Sequence, residues 1–218
     1  MIQREDNQIN WSRFSSTFII ETKRGNQVFT STAVAISSHI LLTAAHCVDC
    51  ADEVKVILGN DYRRPQGVIN ITHQVVHPAY NPQNSFYEND VAILYTSEVL
   101  PNFTHIEEID NDQISFDDLA LERIGFGGRN NKNLKTWTNP SFRSVSYNKK
   151  NFILKDEKTA IGDSGGPVFA NQQGKLKLIG LHSTLEGADN AYVVNLSQYI
   201  PWIAQNTSLE KFTQSSIQ

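Results

Sequence analysis

Ser164 sits in the run Gly162-Asp163-Ser164-Gly165-Gly166-Pro167. Glycines permit positive φ and let another backbone approach closely. A turn of this kind can aim a hydroxyl outward and leave backbone N–H groups unpaired beside it. That is the layout of a nucleophile with an oxyanion hole. Taken alone, the run reads equally as a Gly-rich surface turn. Two other segments bear on it. Thr43-Ala44-Ala45-His46-Cys47 ends an apolar run with small residues and a histidine, and Asn89-Asp90-Val91-Ala92 opens another with an aspartate. Separately, a lone histidine is usually a surface or satisfied core residue, and an aspartate before a strand is usually a turn residue. Together they place His46, Asp90 and Ser164 in one of the chain orders known for activating a serine hydroxyl.

Positioning three such side chains requires a rigid scaffold. Segments 16–21, 27–36, 40–42, 54–58, 68–76, 91–95, 119–126, 168–170, 176–182 and 192–196 are rich in β-branched and aromatic residues and read as strands. Turn residues such as Arg24-Gly25-Asn26 and Gly59-Asn60-Asp61 punctuate them. Many short strands divided by turns predict an all-β sandwich or barrel. Ser197 is expected to cap a single helix running through Tyr199, Ile200, Trp202 and Ile203 to Asn206. The polar segment 207–218 reads as a tail.

The 218 residues suffice for one large domain or two small ones sharing a cleft. With 19 Lys+Arg against 23 Asp+Glu, the net charge of −4 gives no basic patch for nucleic acid and no polybasic run for a membrane. No apolar run is long enough to span a bilayer, and residues 1–15 lack the apolar core of a secretory leader. Cys47 and Cys50 have no second Cys/His pair at metal-binding spacing, so no metal and no cofactor is expected. A local disulfide between them, in an oxidising compartment, is the preferred reading; two free thiols are the alternative.

These motifs resemble the trypsin/chymotrypsin-like serine peptidases. Thr43-Ala44-Ala45-His46-Cys47 is similar to the family's histidine motif. His77-Pro78-Ala79-Tyr80 with Asn89-Asp90-Val91-Ala92 is similar to its aspartate region. Ile124-Gly125-Phe126-Gly127 resembles its Gly-aromatic-Gly strand, and Tyr199-Ile200-Pro201-Trp202-Ile203 its C-terminal helix. The resemblance implies two antiparallel β-barrels within one peptidase domain over 1–206. The first barrel would cover 15–112 and the second 113–196, with a helix at 197–206. It implies His46, Asp90 and Ser164 as catalytic triad, with Gly162 and Ser164 N–H groups as oxyanion hole. Ser183 would lie on the strand that pairs with extended substrate. Counting back from Ser164 puts Lys158, Thr159 and, next to Ser183, His182 at the specificity pocket. No aspartate stands there to favour Arg or Lys, and the Thr/His pair resembles the glutamyl endopeptidases of this fold. The implied activity is a serine endopeptidase acting on protein or peptide substrates, with a preference for acidic residues. A catalytically silent binding protein or an esterase on the same fold are the alternatives.

The chain departs from the family in two respects. Members usually carry a freed N-terminal Ile or Val, followed by two glycines, whose ammonium pairs with the aspartate before the nucleophile. Neither Met1-Ile2-Gln3-Arg4 nor Gln8-Ile9-Asn10-Trp11 fits, so Asp163 is an acid without an identified partner. The expectation is a zymogen awaiting an activating protease, with a poorly formed oxyanion hole, or an enzyme using an internal cation such as Lys158. Family disulfides are also missing: Thr30-Ser31-Thr32-Ala33 stands where the partner of Cys47 would be, and Ala160 replaces a pocket cysteine. Such sparse bridging resembles bacterial members. A secreted or periplasmic location follows by the same analogy, with the leader absent from this sequence.

Overall fold

Two antiparallel sheets carry the chain, which the computed structural model describes over residues 10–83, 87–102, 104–109, 120–128 and 134–208. β1 (Thr17–Arg24), β2 (Gln27–Ala35), β3 (Ile40–Thr43), β4 (Glu53–Leu58), β5 (Gly67–Val76) and β6 (Ala92–Thr96) close into a barrel in the order β1-β2-β3-β6-β5-β4. β7 (Ala120–Gly125), β8 (Thr136–Thr138), β9 (Ser141–Val145), β10 (Asn151–Lys155), β11 (Pro167–Gln172), β12 (Lys175–Glu186) and β13 (Asn190–Asn195) form a second sheet, ordered β8-β7-β11-β12-β13-β10-β9. The fold is all-β and chymotrypsin-like, as expected, but among the described residues the second unit is a half-barrel rather than a closed one. The expected boundary near residue 112 and the segment 209–218 lie outside the described residues.

Side-chain alternation explains the apolar runs. In β3, Leu41 points into the closed barrel, while Ile40 and Leu42 point the other way. In β6, Ala92 and Leu94 fill the barrel and Ile93 faces outward. The outward residues join Ile124, Phe169, Leu178, Leu181 and Val194 of the second sheet in one shared core. Strands buried on both faces read as continuous hydrophobic runs instead of alternating ones. A separate core of Leu121, Phe152, Leu154, Val168, Ala170, Ile179 and Val193 backs the second sheet. The shared core fixes one unit against the other, and the cleft between them inherits that rigidity.

Three strands, β8, β9 and β10, were not expected. β9 is a mostly exposed edge strand without a hydrophobic pattern. The C-terminal helix also begins differently. Ser197 lies in a 3₁₀ turn, Leu196–Tyr199, and its hydroxyl donates to Asn195 Oδ1 at 2.8 Å. The α-helix proper, Ile200–Thr207, starts after Tyr199 without a side-chain cap and with Pro201 in its first turn, where a missing N–H costs nothing. Ile200 and Ile203 then dock into the shared core.

Candidate active site

Register brings the histidine and the aspartate together. β3 pairs with β6 so that Thr43 lies opposite Ala92. The chain leaving β3 turns into a short helix, α1 (Ala45–Val48), which carries His46, and the chain entering β6 carries Asp90. His46 Nδ1 lies 2.7 Å from Asp90 Oδ2, and the His46 backbone N–H donates to Oδ1 at 2.8 Å. The Ser183 hydroxyl donates to Oδ2 as well. Asp90 is 3% exposed. Burial works against its charge, but the hydrogen bonds from His46 and Ser183 outweigh burial and hold its carboxyl below the usual range. Asn89, in the left-handed region at φ 58°, is locked by Tyr199: its N–H donates to the Tyr199 hydroxyl at 3.1 Å. The C-terminal segment thereby holds the turn that aims Asp90.

Ser164 enters from the second sheet. Asp163 N–H donates to the Ala160 carbonyl (3.1 Å) and Gly166 N–H to the Asp163 carbonyl (2.9 Å), closing a tight turn. Gly165 has φ +80°, and a Cβ there would fall 2.1 Å from Thr43 Oγ1 and 2.2 Å from the Thr32 carbonyl, so only glycine fits. The Ser164 hydroxyl donates to the Ser183 carbonyl at 3.2 Å. His46, Asp90, Ser164 and Ser183 are therefore linked in one cluster. Among the described residues, neither Gly162 N–H nor Ser164 N–H donates to a protein acceptor.

Thr32 is the residue whose importance the sequence did not reveal. It is fully buried on β2, and its backbone N–H donates to the Ser164 carbonyl at 2.9 Å. Its hydroxyl donates to the Gly162 carbonyl (2.8 Å) and accepts from Phe126 N–H (3.0 Å). One threonine thus ties the closed barrel to the nucleophile turn. A hydroxyl among small residues gave no distinguishing signal.

The expected disulfide is overturned. Both cysteines are free, Cys47 buried and Cys50 exposed. Cys50 adopts φ 55° just past α1, while Cys47 Sγ faces His46 Nε2 at 3.7 Å. Burial pulls the His46 imidazole down, but its interactions with the neighbouring Cys47 and with the Asp90 carboxylate outweigh burial and raise its pKa to about 11.

The partner of Asp163 that the sequence left unidentified is Arg123, and Lys158 is not its cation. Arg123 Nη1 lies 2.9 Å from Asp163 Oδ2, with both side chains 1% exposed. Arg123 Nε also pairs with Asp156. Lys158 is exposed; its backbone N–H donates to Asp156 Oδ1 at 3.1 Å.

Two cavities flank the cluster. The larger, about 500 Å³, is lined by Ser164, Thr159, His182, Thr184 and Ile161 among others, but not by Lys158. Thr159 Oγ1 and His182 Nδ1 are buried without a hydrogen-bond partner among the described residues. His182 is driven down to about 4, chiefly by burial and then by the Arg123 charge, so its ring is neutral near pH 7. The smaller cavity, about 160 Å³, is lined by His46, Asp90, Tyr80, Tyr87 and Ser183. β11 leaves β12 at the Pro167–Leu181 pair, so past His182 the strand keeps β13 as its neighbour and opens its other edge to the cleft.

Comparison with known proteins agrees with this architecture. The solved structure titled HL collagenase superposes with a TM-score of 0.76, covering 91% of this chain and 95% of that one at 20% identity. That likeness carries the fold, a closed barrel facing a half-barrel across a cleft. The sequence itself goes further: residues 3–203 match the family described as Trypsin, and the chain belongs to the trypsin family of serine peptidases. It is 28% identical to the collagenase of Hypoderma lineatum, over 80% of this chain and 75% of that protein. It is 26% identical to CLIP domain-containing serine protease B10 of Anopheles gambiae, covering 64% of that protein. It is 29% identical to vitamin K-dependent protein C of Rattus norvegicus, covering 44% of it. These relatives are insect and mammalian, and the expectation of a bacterial member finds no support in them.

Proposed function

We propose that the protein is a secreted serine endopeptidase using His46, Asp90 and Ser164. The observation that carries this reading is the two-point grip of Asp90 on His46, through the ring and the backbone N–H, beside a serine framed by unpaired N–H groups. Ser164 Oγ turns from the Ser183 carbonyl to His46 Nε2 and attacks the scissile carbonyl carbon as its proton passes to His46. Asp90 holds the tautomer and stabilises the imidazolium. Gly162 and Ser164 N–H groups bind the oxyanion, each such donor lowering the barrier by about 3 kcal/mol. The imidazolium protonates the leaving amine, and water then repeats the sequence on the acyl-enzyme, releasing acid and restoring Ser164. Substrate backbone pairs along the open edge at Ser183.

The larger cavity suits a glutamate side chain before the scissile bond better than Arg or Lys. Its lining offers the Thr159 hydroxyl and the His182 ring, with the Arg123 charge nearby, and no carboxylate. A cation there would lose its hydration without a partner, whereas an entering carboxylate favours protonation of His182 and pairs with it. Hydrolysis of matched peptides differing only in Glu, Gln, Arg or Phe before the bond, with Ser164→Ala as blank, tests both parts. Fastest cleavage after Glu, absent from the variant, is expected. Preferred cleavage after Arg would refute the pocket assignment, and undiminished hydrolysis by Ser164→Ala would refute the nucleophile.

A further inference from the structure

We infer that Arg123 is the positioning residue that sets the oxyanion hole, so that catalytic competence does not wait for a newly cleaved amino terminus. This rests on the peptidase reading above and concerns how that site is switched on.

A carboxylate buried next to the nucleophile must be paired with a cation, or the turn carrying it rearranges. Among the described residues, both carboxylate oxygens of Asp163 are engaged. Oδ1 accepts from Gly127 N–H at 2.7 Å, and Oδ2 accepts from Ala160 N–H at 2.9 Å. The Arg123 guanidinium supplies the charge at Oδ2. A Cβ on Gly125 or Gly127 would fall 2.1 or 2.5 Å from the carboxylate, so that side is filled by backbone. Arg123 is itself fixed. It lies on β7 opposite Val168 of β11, two residues past the glycines that follow Ser164. Its Nε pairs with Asp156, which also accepts from the Thr138 hydroxyl (3.0 Å) and Lys158 N–H (3.1 Å). The buried guanidinium thus lies between two carboxylates, with Nε on Asp156 and Nη1 facing Asp163. With Asp163 pinned, Gly162 stays at φ +105° and the N–H groups of Gly162 and Ser164 stay free of protein acceptors among the described residues. The groups facing Arg123 are Asp156, Asp163 and His182, from the loop after β10, the nucleophile turn and β12.

The identity of the cation is testable because an amine loses its charge at alkaline pH and a guanidinium does not. The rate of fluorophosphonate labelling is to be followed from pH 7 to 10 on the full chain carrying a short N-terminal extension, with intact mass checked after each reaction. The same chain after limited cleavage of the extension is the comparison. Equal rates for the two forms, with no decline toward pH 10, are expected. Arg123→Lys keeps a cation facing Asp156 and Asp163 and should label within several-fold of the parent near pH 7, whereas Arg123→Met leaves two buried acids unpaired and should label at least tenfold more slowly. Labelling that appears only after cleavage, or Arg123→Met labelling as fast as the parent, would overturn the inference while leaving the peptidase reading intact. No labelling in either form would overturn both.

Discussion

His182 should make the protein acid-labile, by an amount that can be worked out. Its ring is 1% exposed on β12 and held at a pKa of about 4 by burial, with the Arg123 charge adding to the effect, against 6.5 for the unfolded chain. Asp163 and Asp156 pull the other way and His46 adds slightly to the lowering. Because the folded value is the lower one, the unfolded state takes up the proton first. The associated stability is therefore complete above pH 6.5 and is lost as pH falls through 6.5 toward 4. A difference of roughly 2.5 units at about 1.4 kcal/mol per unit is a loss of about 3 kcal/mol. Urea unfolding at pH 7, 5.5 and 4 measures it, with His182→Gln as the comparison. The variant should lose about 3 kcal/mol less than the parent across this range, whatever its stability at pH 7. The carboxylates depressed by their partners, Asp90 and Asp156, titrate in both proteins and drop out of the difference. Parallel curves for parent and variant would show that His182 is not kept neutral by its surroundings.

Thr32→Val keeps the side chain's shape but leaves the Gly162 carbonyl and Phe126 N–H unpaired. It should cost about 2 kcal/mol of stability in chemical denaturation and slow labelling of Ser164, whereas unchanged stability would mean the cross-barrel tie is idle. Alkylation of unreduced protein should modify Cys50 readily and, after unfolding, Cys47 as well, and a mass two hydrogens lighter than the dithiol form would contradict the free thiols.

The strands that build the site were legible because they are buried on both faces. Ile40-Leu41-Leu42 and Val91-Ala92-Ile93-Leu94 serve two cores at once and stand out as apolar runs ending at His46 and Asp90. β9, exposed at an edge, has no such signature. The nucleophile turn was legible because close packing against Thr43 and Thr32 demands glycine at 165. What escaped depends on contacts between residues distant in sequence. Arg123 lies inside the strand run 119–126, and only when β7 is laid beside β11 does it meet Asp163. Lys158, six positions before Ser164, looked like the nearer cation, yet its side chain turns outward. Cys47 and Cys50 have the spacing of a local bridge, but the short helix sends one thiol inward to His46 and leaves the other exposed.

The most direct test of the account is where a fluorophosphonate attaches. After reaction of the native chain at neutral pH, intact mass followed by peptide mapping should show one adduct, on the peptide containing Gly162-Asp163-Ser164-Gly165-Gly166-Pro167 and on Ser164 itself. Ser164→Ala should carry none. An adduct on another residue, or equal labelling of Ser164→Ala, would contradict the assignment of Ser164 as nucleophile.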